Sequence, residues 1–314
     1  MTVRKSNART KSNLYESGKR YVGIFTVMLS ATMLIAFSGE ISASIVSAIK
    51  LSVTSVIPAL FPFIILSDFI ISQPRGTGGM LGKGFSRAFG LPASATTAFL
   101  CGTLCGFPIG VKVATEIYAR GEISKDELER LIGFINNPSP AFVISAVGAM
   151  RGNISEGVIL YIAVVLSAVI VGLTFSDHSR VIRKSAAPTK DREFNLVSSV
   201  KGAAYSSIGI SAYIIFFSAL LGIVRALWES EAVTVAFAVF LEIGNASSLI
   251  AGASLENTVS LALTGFALGF SGFSVHMQAF SLLPEEISRK KYILMKLMQG
   301  ALAAAIAFFM TRIV

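Results

Sequence analysis

Charge is what this chain most lacks. Only 14% of its 314 residues are Asp, Glu, Lys or Arg, whereas 53% are hydrophobic. A soluble globular domain carries about 25% charged residues. This chain therefore cannot cover a water-facing surface with polar groups, and its solvent must be largely lipid. Cysteine is nearly as scarce. Cys101 and Cys105 are the only two, too few for a disulfide scaffold. A structural zinc site needs four ligands, and the two histidines, His178 and His276, lie far away in sequence. On a helix the two thiols share one face and read as small, polarizable packing residues. Acidic residues are fewer than basic ones, 18 against 27, a net charge of +9. That excess does not describe a nucleic-acid face. Residues 1–20 hold six basic side chains against Glu16. The stretch 176–203 holds Arg180, Arg183, Lys184, Lys190, Arg192 and Lys201 against Asp177, Asp191 and Glu193. Two basic patches between apolar runs form a positive-inside signature.

Long apolar runs fill the remainder. The reading is an all-α polytopic membrane protein with a basic cytoplasmic tail (1–20), a first helical half (21–175), a basic cytoplasmic loop (176–203) and a second helical half (204–314). Tyr21 to Ser38 reads as a first membrane helix rather than a signal peptide, because no small-x-small cleavage site follows it. Residues 41–56 read as an amphipathic lead-in helix, and 57–71 as a span broken by Pro58 and Pro62. Residues 73–90 read as a Gly-rich cytoplasmic loop. Its Gly82-Lys83 pair is no phosphate-binding loop, since Thr77 and Gly84 stand where that motif needs Gly and Ser or Thr. Further spans are expected at 154–175 and at about 204–228, 231–253, 257–283 and 292–312.

The stretch 91–150 is the most informative. Apolar sequence runs into Cys105-Gly106-Phe107-Pro108-Ile109-Gly110. Ala98, Gly102, Gly106 and Gly110 form a small-residue stripe that permits close approach. Ser124 with Glu127 makes a capping box that starts a polar helix. The next apolar run is interrupted at Asn136-Asn137-Pro138-Ser139-Pro140. The second half has its own interruptions, at Leu241-Glu242-Ile243-Gly244-Asn245 and at Ser271-Gly272-Phe273-Ser274. Matching Gly106-Phe107-Pro108 to Gly272-Phe273-Ser274, and Glu122-Ile123-Ser124-Lys125 to Glu286-Ile287-Ser288-Arg289, suggests an internal duplication whose first copy is 41–150. Paired interruptions in two halves are the sequence pointer to a transporter site at a repeat interface.

The candidate site residues follow from those breaks. Asn136, Asn137 and Ser139 flank two prolines that free backbone carbonyls, which suits a cavity lining; the bland reading is a helix end with turn-forming residues. Gly106, Pro108 and Gly110 read as a hairpin tip that either reverses the chain or brings backbone N–H groups to a ligand. Glu242, midway along an apolar run, must be partnered, protonated or wet, as a substrate or coupling group or as half of a structural pair, with Asn245 beside it. Lys112 and Glu116 are one turn apart and read as a mutual pair. His276 and Gln278 are further cavity candidates. No catalytic triad, paired catalytic carboxylates, metal motif or cofactor motif stands out, so an enzyme is not expected.

These residues resemble a known family. Gly-Phe-Pro-Ile-Gly-Val-Lys at 106–112, Gly-Glu-Ile-Ser at 121–124, Glu129-Arg130-Leu131 and Phe-Ile-Asn-Asn-Pro-Ser-Pro-Ala-Phe at 134–142 are similar to YlbJ-type sporulation integral membrane proteins of the nucleoside-recognition (Gate) domain group. Ile-Pro-Ala-Leu-Phe-Pro-Phe at 57–63 fits the same pattern. The resemblance implies a fold related to concentrative nucleoside transporters, with two internal repeats of broken or re-entrant helices, and a role in spore formation. Its implied partners are a small polar solute of nucleoside-like character, a coupling ion, the lipid bilayer, and a second copy or other sporulation membrane proteins. The rival expectation is a non-transporting membrane scaffold for spore-envelope assembly. Under the charge reading, Lys190→Cys should react with an impermeant thiol reagent only from the cytoplasmic side, and labelling from outside would overturn the orientation.

Overall fold

The computed structural model describes residues 31–72, 79–179 and 193–312, together with 21, 24 and 28. The basic tail, much of the expected first span and the centre of the basic loop lie outside the described residues. Among the described residues every regular element is helical. Four helical stretches are long and apolar enough to cross a bilayer: Ile154–Thr174, Leu196–Leu227, Asn257–Phe280 and Arg289–Met310. A bent pair, Ser38–Val56 with Leu60–Ser72, adds a fifth where counted as one span. The chain is an integral membrane protein.

Helix α1 (Ser38–Leu51) runs through a π-wound turn, Ser52–Val56, into α2 (Ile57–Ser72). The two limbs meet at 51°. The bend has a chemical cause, because Pro58 and Pro62 cannot donate to the carbonyls four residues before them. The expected loop 73–90 is partly a helix: α3 (Met80–Phe89) buries Gly82, Phe85 and Phe89 on one face and ends at Gly90, whose φ is +59°.

Next come two short helices, α4 (Ala95–Leu104) and α5 (Ile109–Ala119). At 1.5 Å per residue each is roughly 16 Å long, half of the ~30 Å a span needs. The chain reverses between them. Gly102 and Gly110 meet across the reversal, so that a Cβ on Gly110 would stand 2.6 Å from the Gly102 Cα. The expected small-residue stripe is thus split between two antiparallel limbs of a hairpin. The capping box forms as expected, with Ser124 N–H donating to Glu127 and Glu127 N–H to Ser124 Oγ. It starts α6 (Lys125–Ile135), which breaks at residues 136–139 and resumes as α7 (Ala141–Met150). Helix α8 (Ile154–Thr174) then returns across the molecule.

The second half opens with α9 (Leu196–Leu227), which begins inside the stretch read as a basic loop, capped by Asn195. Then follow α10 (Glu231–Leu241) and α11 (Ile243–Gly252), again too short to span and packed on each other through the single extended residue Glu242. Helices α12 (Asn257–Phe270) and α13 (Gly272–Phe280) form a broken span, interrupted at Ser271 and Gly272, both at positive φ. Helix α14 (Arg289–Met310) closes the chain.

Cross-links sort the ends of these elements onto two sides. On one side Arg120 donates to Ile71 O, Arg130 to Gly90 O, Tyr118 to Glu286, and Ser288 N–H to Glu129. On the other, Arg151 binds Glu156 and Asn257. The hairpin α4/α5 therefore enters from the first side and α10/α11 from the second, and the broken spans α6–α7 and α12–α13 run in opposite directions. The first half runs bent pair α1–α2, α3, hairpin α4/α5, broken span α6–α7 and α8, and the second runs α9, short pair α10/α11, broken span α12–α13 and α14. The sequence matches between the halves do not follow this order. Gly106-Phe107-Pro108 lies at a hairpin tip while Gly272-Phe273-Ser274 lies in a broken span; Ser124 opens a broken helix and Ser288 an unbroken one.

Close backbone contact at Gly102 yields a test. A Cβ there would collide with the Ile135 carbonyl at the end of α6. Gly102→Ala should therefore cost at least the ~1–3 kcal/mol of ordinary overpacking and lower the Tm of the purified protein. Gly209→Ala, which faces open space on α9, should not. Equal melting of the two would mean that the hairpin does not lie against α6.

Candidate functional site: a cavity between helix breaks

A helix break in lipid leaves N–H and C=O groups that water cannot reach, so each break must find partners inside the protein. Here the breaks find one another. The tip of α4/α5 rests on the break between α6 and α7: a Cβ at Gly106, φ +85°, would stand 2.8 Å from Ser139 N. Likewise the break between α12 and α13 rests on that between α10 and α11, where a Cβ at Gly272 would stand 3.3 Å from Glu242 N. Between these two pairs lies a cavity lined by Gly106, Phe107, Ser139, Glu242, Gly244 and Gln278, with aliphatic walls from α1, α2 and α9. The centres of water-sized molecules can occupy about 50 Å³ of it, several times the ~10–15 Å³ that one water requires.

Glu242 is both the hinge of α10/α11 and the N-cap of α11. Its carboxylate accepts from Gly244 N–H at 2.9 Å, from Asn245 N–H at 2.7 Å and from Asn245 Nδ2 at 2.9 Å. These three donors hold the carboxylate at the N-terminus of α11. No cation pairs with it among the described residues. It is 2% exposed. Asn245 stands outside the cavity lining and ties this cap to Ser218 of α9 at 2.7 Å.

Asn136 and Asn137 are fully buried and do not line the cavity; they face α14. Asn136 Nδ2 donates to the Tyr292 hydroxyl at 2.8 Å, and Lys296 donates to the Asn136 carbonyl at 2.8 Å. Lys296 also donates to Gln299 Oε1 at 2.7 Å, and Gln299 Nε2 to Asn137 Oδ1 at 2.7 Å. Asn137 Nδ2 returns to Phe134 O. The network satisfies the carbonyls freed at the end of α6. A cationic lysine at a helix C-terminus is also the favourable sign for the helix dipole. Pro108 caps α5, and Gly110 packs on Gly102. Of the sequence-derived site, the cavity thus brings together Gly106, Ser139 and Glu242, and the other five hold the backbone around it.

Several residues find other partners than those expected. Lys112 pairs with Asp68 of α2 at 2.6 Å, and Glu116 with Arg120. His276 is held by Phe270 O at 2.7 Å and does not line the cavity, whereas Gln278 does. Tyr292, Lys296 and Gln299, which hold the α6 break, are not singled out by the sequence reading. Their signal was present as polar groups at i, i+4 and i+7, one face of an apolar helix.

No protein-family model and no solved structure matches the chain. Among curated proteins it is similar to the sporulation integral membrane protein YlbJ of Bacillus subtilis (strain 168). The two are 26% identical over 93% of this chain and 82% of that protein. The YlbJ-type resemblance read from residues 106–142 therefore extends along nearly the whole sequence.

Because Asn137 and Gln299 bond directly, Asn137→Ala and Gln299→Ala should not be additive in stability. A double-mutant cycle on the purified protein should give a coupling of about 0.5–3 kcal/mol. Additive losses would remove Asn137 from the network.

Proposed function

We propose that this chain is a carrier-like membrane protein that binds a small polar solute in the cavity between the helix breaks and acts in spore formation. The observation that carries the reading is one cavity, holding a buried carboxylate, onto which the α4/α5 tip, the α6–α7 break and the α10/α11 break all open and which α13 closes with Val275 and Gln278. Interrupted helices at mid-protein are where transporters keep their sites, because the interruption supplies polar groups while the surrounding protein keeps lipid away. The opposite entry of the two short helix pairs, and the opposite run of the two broken spans, support an inverted internal repeat of the kind found in concentrative nucleoside transporters. In that repeat Gly106 corresponds in place to Glu242, and the 136–139 break to Ser271-Gly272. Alternating access follows from rocking one half on the other around the fixed cavity. The basic side, with Lys83, Arg87, Lys125 and Arg289 to Lys291, is the cytoplasmic one. The sporulation role comes from the named relative, and the solute from the cavity.

Two measurements test this. In a spore-forming host lacking its own homologue, Glu242→Gln and Ser139→Ala should accumulate in the membrane normally yet lower spore yield. Normal yields from both would remove the cavity from the function and favour a scaffold. On the purified protein, a solute that occupies the cavity at about 100 times its Kd should add roughly 2.7 kcal/mol of stability, and Glu242→Gln should abolish that gain.

A further inference from the structure

The polar groups of the cavity are unbalanced, and the imbalance identifies its ligand. An ionised carboxylate offers about four acceptor positions. Glu242 has three of them filled, one on Oε1 by Gly244 and two on Oε2 by Asn245. The fourth, on Oε1, is open. Gln278, 2% exposed, donates through Nε2 to Ser274 Oγ at 3.4 Å, and its Oε1 accepts from nothing. An acceptor buried without a donor is costly to fold, and of the buried side-chain N and O atoms without a partner among the described residues, Gln278 Oε1 alone belongs to a residue of the cavity lining. Both open acceptors belong to residues that line the same cavity, and the cavity has no Lys, Arg or His in its lining.

Resting on the carrier reading above, we propose that the cavity selects a small monovalent cation bearing N–H donors, a primary ammonium group. Glu242 is its counterion and Gln278 Oε1 its second acceptor. One carboxylate balances one positive charge. A divalent metal would lack a second anion, and no three His, Cys, Asp or Glu side chains cluster among the described residues. Apart from the Ser55 and Ser139 hydroxyls, the remaining side chains of the wall are aliphatic and aromatic, and suit the short carbon tail of an amine better than the water shell of a bare ion.

The experiment is thermal unfolding of the purified full chain at constant ionic strength. The probes are methylammonium and ethanolammonium chloride, compared with sodium, potassium and tetramethylammonium chloride, neutral acetamide, and sodium acetate. The two primary ammonium salts should raise Tm beyond all the others. Glu242→Gln should weaken their apparent affinity about tenfold or more, the loss of a charge-assisted bond. Gln278→Met provides a second arm that does not depend on the fold tolerating change at the cap. It removes the unfilled acceptor, so it should raise Tm without ligand while reducing the ammonium effect. Equal stabilisation by sodium or potassium would overturn the N–H assignment, and by acetamide the charge assignment. Stabilisation by acetate would mean that the Gln278 amide presents its NH2. In those three outcomes the solute-binding reading survives without the ammonium proposal. No response to any probe, with unaltered Tm in Gln278→Met, would overturn the ammonium proposal, while a nucleoside or nucleobase hit in the same assay would leave the carrier reading standing.

Discussion

The constraint on which everything else depends is the pairing of helix breaks. A continuous helix satisfies its own backbone and can face lipid alone; a broken one cannot. Each interruption here is therefore answered by another element: the α4/α5 tip by the 136–139 turn, the Ser271–Gly272 turn by Leu241 and Glu242, and the end of α6 by Lys296 and Gln299. The first two pairings each lie within one half, the third ties the first half to α14 of the second, and together they fix where a cavity can exist. The glycines at the tip and at residue 272 follow from the same demand, since both need positive φ and contact with a neighbouring backbone.

Two ways of burying polarity sit side by side. Around Lys296 the donors and acceptors join α14 to the end of α6 and leave one acceptor, Asn136 Oδ1, unfilled away from any cavity lining. Around Glu242 they do not close, and what remains open belongs to residues of the cavity lining. The first arrangement is what a structural joint requires. The second is the arrangement of a site, since an unfilled acceptor makes the protein less stable until something occupies it.

The helical membrane class, the capping box at Ser124, the hairpin near Gly106 and the breaks at 136–140, 242 and 271 were legible in the sequence, because proline, glycine and a lone carboxylate inside apolar runs have few alternative uses. The helix of 80–89 and the early start of α9 were hidden by their charge, which reads as loop. The sequence matches between the halves fall on different local structures, because short glycine-containing identities report local turns, and topology depends on which ends lie together. The same limit applied to the site. Asn136 and Asn137 looked like cavity residues by composition, and their direction was set by α14, some 160 positions further along the chain.

The seam between α12 and α14 is built from Gly265, Gly269 and Gly300, each facing the main chain of the other helix: Ala303 O, Gln299 O and Phe266 O. Main chains in contact leave no side-chain cushion to deform, so these two helices must translate as one plank. The bent α1–α2 limb is gripped in that way near the start of α1, where Gly222 of α9 faces Glu40 O, and its π turn and two prolines lie beyond that grip. Any change in the access to the cavity is thus divided unevenly, between a stiff panel that carries Lys296 and a jointed panel that carries the aliphatic wall.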